Sequence, residues 1–199
     1  MPISNNSMPF HLILVSLVSL TFGIHFFRNH SFTSSKPYQE EFLMLTNDIL
    51  FHEEFSKLKN YHHHANHIYD HVVRVAYISY AISKVLGFDY VSAARGGLLH
   101  DFFLYDWRER KANDTSRSLH GKEHPYIALE NARKYFDISA LEEDIIVKHM
   151  FPKTHAMPRY KESLVVSLSD KLSAIFEYLQ QSTLMISILL RRRRTIQVI

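Results

Sequence analysis

The chain has 199 residues, of which 46% are hydrophobic and 22% charged; these values exclude wholesale disorder and a polytopic membrane protein. It has no Cys, which excludes disulfides, thiolate zinc sites, iron-sulfur clusters and Cys nucleophiles, but it has 14 His, so any metal site must use nitrogen and oxygen ligands. The formal net charge is +3, and four of the 23 basic residues lie in one run, Arg191 to Arg194, so the chain carries no strong nucleic-acid signal.

The N-terminal segment is unusually apolar. From Phe10 to Phe27 there are 18 residues without Asp, Glu, Lys or Arg, a length at the lower limit for a membrane-spanning helix. Arg28 and Lys36 follow, so the positive-inside rule favours a cytoplasmic location for the rest of the chain. The alternatives are an apolar leader that stays in the cytoplasm and a secretory signal, although no Lys or Arg precedes the apolar stretch as a secretory signal requires.

These patterns predict three segments. A polar, Ser-rich linker ending in Pro37 separates the leader from the globular part. The predicted segments are an N-terminal leader at 1–37 with a candidate membrane anchor at 10–27, a catalytic domain at 38–180, and a basic C-terminal tail at 181–199.

The rest of the chain predicts an all-α fold, because apolar residues recur at helical spacing and no stretch alternates as a strand does. The long polar stretch between Asp101 and His124 is expected to be a loop. The expected helices are Phe42–Leu50, Ile68–Leu86, Tyr90–Leu99, Pro125–Phe136, Ser139–Met150 and Tyr160–Leu179. Gly87 is expected to end the second helix, Pro125 to lie in the first turn of the fourth, and Ser139 and Glu142 to form a capping box at the start of the fifth.

Several histidines stand at the predicted ends of helices and beside carboxylates. Neutral imidazole and carboxylate suit Mn, Fe, Ni, Zn or Mg, and adjacent His and Asp side chains at a helix end can point both ligand types into one cavity. A carboxylate between two ions can also bridge them. The candidate metal ligands are His71, His100, Asp101, His124, His149 and Asp170.

The order of these residues resembles the HD-domain superfamily of metal-dependent phosphohydrolases, whose signature is a His, a His-Asp pair and a distal Asp on successive helices. The local sequences match as well, at His71-Val-Val-Arg, Gly97-Leu-Leu-His-Asp and Ser169-Asp-Lys-Leu. The resemblance covers about residues 38 to 180. It implies a helical bundle and the hydrolysis of phosphoester or phosphoanhydride bonds.

Two further histidines, His124 and His149, resemble the longer pattern of the dinuclear branch of that superfamily, which implies two divalent ions. In this assignment Asp101 bridges the ions, one ion is held by His71, His100 and Asp170 and the other by His124 and His149, and a metal-bound hydroxide attacks phosphorus. The cyclic di-GMP enzymes of that branch carry adjacent His residues at the position of His149 and a Gly-Tyr-Pro motif, which are absent here. The implied substrate is a different small phosphorylated molecule of nucleotide-like chemistry.

Basic and aromatic residues near the ligands add weaker expectations. Lys171 and Arg74 are the candidate catalytic residues besides Asp101, because their charge would balance that of a phosphate, although a lone basic residue on a helix is commonly only solvated. Tyr105 and Trp107 follow the His-Asp pair and would either stack on a base or close the core over the site.

A different class of function stays open at this point. The same residues would also fit a non-catalytic HD signalling module that binds metal or nucleotide, with or without association with a membrane. The sequence determines neither the identity of the metal nor the oligomeric state.

Overall fold

In the computed structural model the described residues are 37–63, 66–107 and 120–196. The chain divides into two compact units, Met1–Glu40 and Glu41–Ile199, and the second contains every predicted metal ligand. Within the described ranges no helix is long and apolar enough to cross a membrane. The span predicted at 10–27 lies outside the described residues and stays a prediction.

The fold of the described residues is all-α, as predicted, apart from one pair of very short antiparallel strands in which His62 pairs with His67. The helices are α1 (Pro37–Leu50), α2 (Glu53–Ser56), α3 (Ile68–Leu86), α4 (Tyr90–Leu99), α5 (His120–Tyr135), α6 (Ala140–Lys148) and α7 (Lys161–Ile196), with a single 3₁₀ turn at Lys57–Asn60 and strands β1 (His62–His63) and β2 (Asn66–His67) between α2 and α3.

Local signals mark three helix boundaries, and the first and third of these signals were predicted from the sequence. Helix α3 ends at Gly87, whose φ of 68° lies in the left-handed region that glycine adopts without strain. Helix α4 begins after Asp89, whose side chain accepts from the backbone N–H of Ser92. Helix α6 begins with the predicted capping box of Ser139 and Glu142, in which each side chain accepts from the backbone N–H of the other residue.

The predicted start of α5 was wrong. The helix begins at His120, so Pro125 lies in its second turn and not in its first, and the expected loop ends earlier than His124. The physical reason is that the first four N–H groups of any helix have no partner within it. Of the next few residues only Pro125 lacks a donor, so the helix loses a single hydrogen bond.

The predicted end of α7 was also wrong. The helix continues to Ile196, well past the expected Leu179. Residues 180–196 contain neither Gly nor Pro, so no residue in that stretch stops a helix.

The core lies where four helices meet. Val75 of α3, Ala93 of α4, Ile145 of α6 and Val166 of α7 are fully buried in one cluster. Two adjacent glycines let α4 fit between its neighbours: a Cβ on Gly97 would lie 2.8 Å from the Cα of Ala76 in α3, and one on Gly96 would lie 2.8 Å from side-chain atoms of Ile145 in α6. The glycines therefore set the distance between these helices.

We expect Gly97→Ala to lower the free energy of unfolding by about 1–3 kcal/mol, because the added methyl group meets the backbone of α3 and the helices must separate. Gly96→Ala is the matched control and should cost less, because its methyl group meets the Ile145 side chain, which can shift. Urea denaturation measures both values. A Gly97→Ala protein as stable as the wild type would contradict this account of the packing.

Candidate metal centre

Two histidines lie directly after the ends of helices. His100 follows α4 and His149 follows α6, and each is almost fully buried. Each ring donates its Nδ1–H to a carbonyl three residues earlier at 2.8 Å, His100 to Gly97 and His149 to Ile146. The last carbonyls of a helix lack intrahelical partners, so these imidazoles satisfy them. The bond fixes each ring with its Nε2 directed away from its helix.

Asp101 follows His100 in a tight turn. The N–H of Phe103 donates to the carbonyl of Asp101 at 2.8 Å, and Asn131 of α5 donates from its side chain to the carbonyl of Phe102, also at 2.8 Å. Phe102 and Phe103 are fully buried. This packing holds the Asp101 carboxylate, only 3% exposed, at the centre of the site.

The first group of ligand atoms surrounds one side of Asp101. His71 of α3, His100 and Asp101 are buried and place one nitrogen or oxygen each within 4.8 Å of one another. Asp170 of α7 joins them: its Oδ1 lies 3.1 Å from His71 Nε2 and 3.9 Å from His100 Nε2.

The second group lies on the other side of the same carboxylate. Asp101, His124 of α5 and His149 form another buried set within 4.8 Å. The Nε2 atoms of His124 and His149 are 2.9 Å apart, and both lie close to Asp101 Oδ1, at 3.2 Å and 3.5 Å respectively. Asp101 is therefore common to both groups.

The donor set fits divalent metal ions. His100 Nε2 is buried and has no hydrogen-bond partner among the described residues, and its ring proton is already committed to Gly97. His149 likewise presents only an Nε2 lone pair to His124 and Asp101. Imidazole lone pairs that converge on a carboxylate are the ligands of a nitrogen and oxygen metal site. How many ions bind, and which, stays a prediction.

Burial and the neighbouring imidazoles shift the pKa values of the carboxylates and histidines of the site. Burial raises the pKa of Asp101, but the charge of His100 and the hydrogen bond from His124 outweigh it and hold that pKa well below its usual range. Burial lowers the pKa of His149 to about 3 despite the nearby charge of Asp101, so this ring stays neutral. The pKa of Asp170 is also lowered against the effect of burial, mainly by its hydrogen bond with His71.

A carboxylate lies within hydrogen-bond distance of each ring nitrogen of His71. Burial lowers its pKa, but hydrogen bonds to Asp170 and Glu177 outweigh burial and raise the pKa from 6.5 to about 10. Its Nδ1 lies 3.0 Å from Glu177 Oε1, and Glu177 is fully enclosed.

The structure places the two predicted basic residues beside the ligands. The ammonium of Lys171 donates to the carbonyls of His149 and Ser167 and to the Ser167 hydroxyl, at 3.1, 3.0 and 2.9 Å. Arg74 pairs with Glu177 through a short contact. Each cation therefore supports a ligand-bearing segment, and direct contact of either one with a substrate phosphate stays a prediction.

Sequence reasoning missed Glu177. It lies two helical turns after Asp170, on the same face of α7, and the spacing of seven residues was the available signal. The contact that gives Glu177 its importance joins residues 106 positions apart, which no local pattern reveals.

Comparison with family models identifies the fold. The model of the HD domain matches residues 68–175, more than half of the chain, and the match includes every predicted metal ligand. The chain belongs to the HD-domain family. HD domains are in general metal-dependent phosphohydrolases, which agrees with the buried His and Asp groups of this member. No curated protein and no solved structure matched the chain.

The stability of the metal-free HD domain should depend on pH through His71. Its folded-state pKa is raised, so its stabilising contribution is fully present below about pH 6.5 and is lost as the pH rises toward about 10. We expect His71→Gln to lower the free energy of unfolding more at about pH 6 than at about pH 9. Urea denaturation in a metal chelator measures this, and an equal loss at both pH values would contradict it.

Proposed function

We propose that this HD domain is a phosphohydrolase that uses two divalent ions and cleaves a phosphoester or phosphoanhydride bond in a nucleotide-like molecule. The observation that carries the proposal is the position of Asp101, whose carboxylate belongs to both groups of converging ligand atoms. A mononuclear site needs only one such group. A second buried pair of imidazoles beside the same carboxylate favours a second ion.

Each of the two groups of ligand atoms would hold one ion. His71, His100 and Asp170 would hold the first ion, His124 and His149 the second, and Asp101 both. Bound ions of this kind lower the pKa of a coordinated water and neutralise the charge that develops on an attacked phosphate. The protein itself supplies buried, oriented ligands.

Two lysines, Lys171 and Lys153, lie on the same side as the second group of ligands, which contains His124 and His149. Lys171 spans from α7 to the carbonyl of His149, and Lys153 Nζ lies beside the first turn of α5, 3.2 Å from the position of a Cβ on Gly121. Lys153 is exposed, so its ammonium can reach a solute. Such a charge favours an anionic substrate over a neutral one.

Aromatic rings extend from the site toward its surface and support the choice of a nucleotide. The ring of Phe103 contacts the ring of His124 with centroids 5.7 Å apart, and Tyr105 contacts Phe103 at 5.1 Å. Tyr105 is partly exposed. Aromatic side chains beside a phosphate-cleaving site offer a surface on which a base can stack.

Metal stoichiometry of the full chain tests the dinuclear site. Elemental analysis of the wild type should find about two divalent ions per chain, falling to about one with His124→Ala and toward none with Asp101→Ala, because only Asp101 serves both groups. Activity against a panel of nucleotides should require the metal and should be lost with Asp101→Ala.

A Glu130→Ala protein serves as the control for the effect of a substitution in itself, since Glu130 is exposed on α5 and is not one of the grouped ligand residues. A single ion per chain that His124→Ala leaves in place would contradict the two-ion proposal. Full metal content and full activity of Asp101→Ala would contradict the phosphohydrolase itself.

We also propose that the apolar segment at 10–27 tethers the domain to the cytoplasmic face of a membrane. Its support is the sequence alone, namely 18 residues without charged side chains followed by Arg28.

Fractionation of the full chain against a chain that starts at Pro37 tests the tether. The full chain should sediment with membranes and require detergent for release, whereas the shortened chain should stay in the supernatant. Identical distribution of both chains in the supernatant would contradict the tether.

A further inference from the structure

The histidines of the first and second groups are oriented in two different ways. His100 and His149 stand at helix ends, where a free backbone carbonyl accepts their Nδ1–H. In both cases the backbone itself fixes which ring nitrogen faces the site. The ligand geometry there needs no additional side chain.

His71 does not stand at the C-terminal end of its helix. It lies inside α3, where the carbonyls of the preceding turn accept N–H groups within the helix. The ring is fully buried, so water does not reach its Nδ1. An acceptor for Nδ1–H must therefore come from a side chain of another element, and the atom in that position is Glu177 Oε1, at 3.0 Å.

The charge of Glu177 is balanced without the help of His71. Arg74 lies one turn after His71 on α3 and donates to the same Oε1 atom, and the hydroxyl of Ser173 lies 3.5 Å from it. The Arg74 side chain is 12% exposed, whereas that of Glu177 is fully enclosed. A buried carboxylate with an Arg partner can stay ionised while the imidazole beside it is neutral.

We propose that Glu177 is a positioning residue for the first ion, holding His71 with Nδ1–H toward itself and Nε2 toward Asp170 and His100, and that Arg74 is its counter-charge. The inference deepens the proposed function and rests on it. Glu177 does for a histidine inside a helix what a terminal carbonyl does for His100 and His149. Ligand histidines supported in this way commonly lose about 10–100-fold in metal affinity when the supporting group is removed.

The test measures Zn²⁺ affinity of the full chain by competition with a chelating dye. Glu177→Leu should weaken the binding of the ion that His71 ligates by about 10–100-fold. This ion can be either the more tightly or the more weakly bound of the two. Glu177→Gln keeps an acceptor oxygen but removes the charge, so its loss should lie near the lower end, about 10-fold. This second variant decides the matter if Glu177→Leu does not fold.

Glu142→Leu is the matched control. Glu142 is also a buried glutamate paired with an arginine, since Arg95 Nε donates to its Oε1 at 2.8 Å, but it lies at the start of α6 and contacts none of the ligand histidines. It should lose stability and keep its Zn²⁺ affinity. Equal loss of affinity in Glu142→Leu and Glu177→Leu would show a general effect of instability and overturn the proposal.

Nitrogen NMR of the histidine rings in the Zn²⁺-loaded protein gives a readout that a purely structural role would not change. In the wild type His71 should carry its proton on Nδ1 and bind through Nε2, and in Glu177→Leu this single arrangement should be lost. A wild type that binds no Zn²⁺ would overturn the phosphohydrolase and this inference together. A folded Glu177→Leu or Glu177→Gln protein with wild-type affinity would overturn this inference alone.

Discussion

Asp101 carries its charge where water hardly reaches, and the rest of the site is arranged around that fact. A buried carboxylate is strongly destabilising unless positive charge or hydrogen-bond donors surround it. His124 of α5 donates a hydrogen bond to the carboxylate, and the charge of His100, which follows α4, also favours the ionised form. The packing of α5 beside the end of α4 is therefore what makes this charge tolerable, and divalent ions would neutralise it more completely than imidazoles do.

A metal site also requires each histidine ring to be oriented, because an imidazole can present either of its nitrogens to the ion. At the helix ends, a hydrogen bond from Nδ1–H to a backbone carbonyl fixes the rings of His100 and His149. Such contacts survive most side-chain substitutions, since every residue has a carbonyl. In the proposed arrangement His71 depends on a side chain, Glu177, so a substitution outside the ligand set can disturb its geometry.

The sequence predicted the features that local chemistry decides. The stop at Gly87, the capping box of Ser139 and the His-Asp pair at the end of α4 were each found because their signals lie within a few residues. It missed the pairing of Glu177 with His71, which depends on how α7 packs against α3. It also placed the start of α5 too late, because Pro125 is favoured in the first turn of a helix, whereas here it lies in the second turn at the cost of a single hydrogen bond. That the ligand residues bind metal, and in what number, is still a prediction.

The continuity of α7 couples two contacts of the site. Asp170 and Glu177, which contact the two nitrogens of His71, lie two turns apart on one uninterrupted helix. Any displacement of this part of α7 relative to α3 would therefore change both contacts of His71 at the same time.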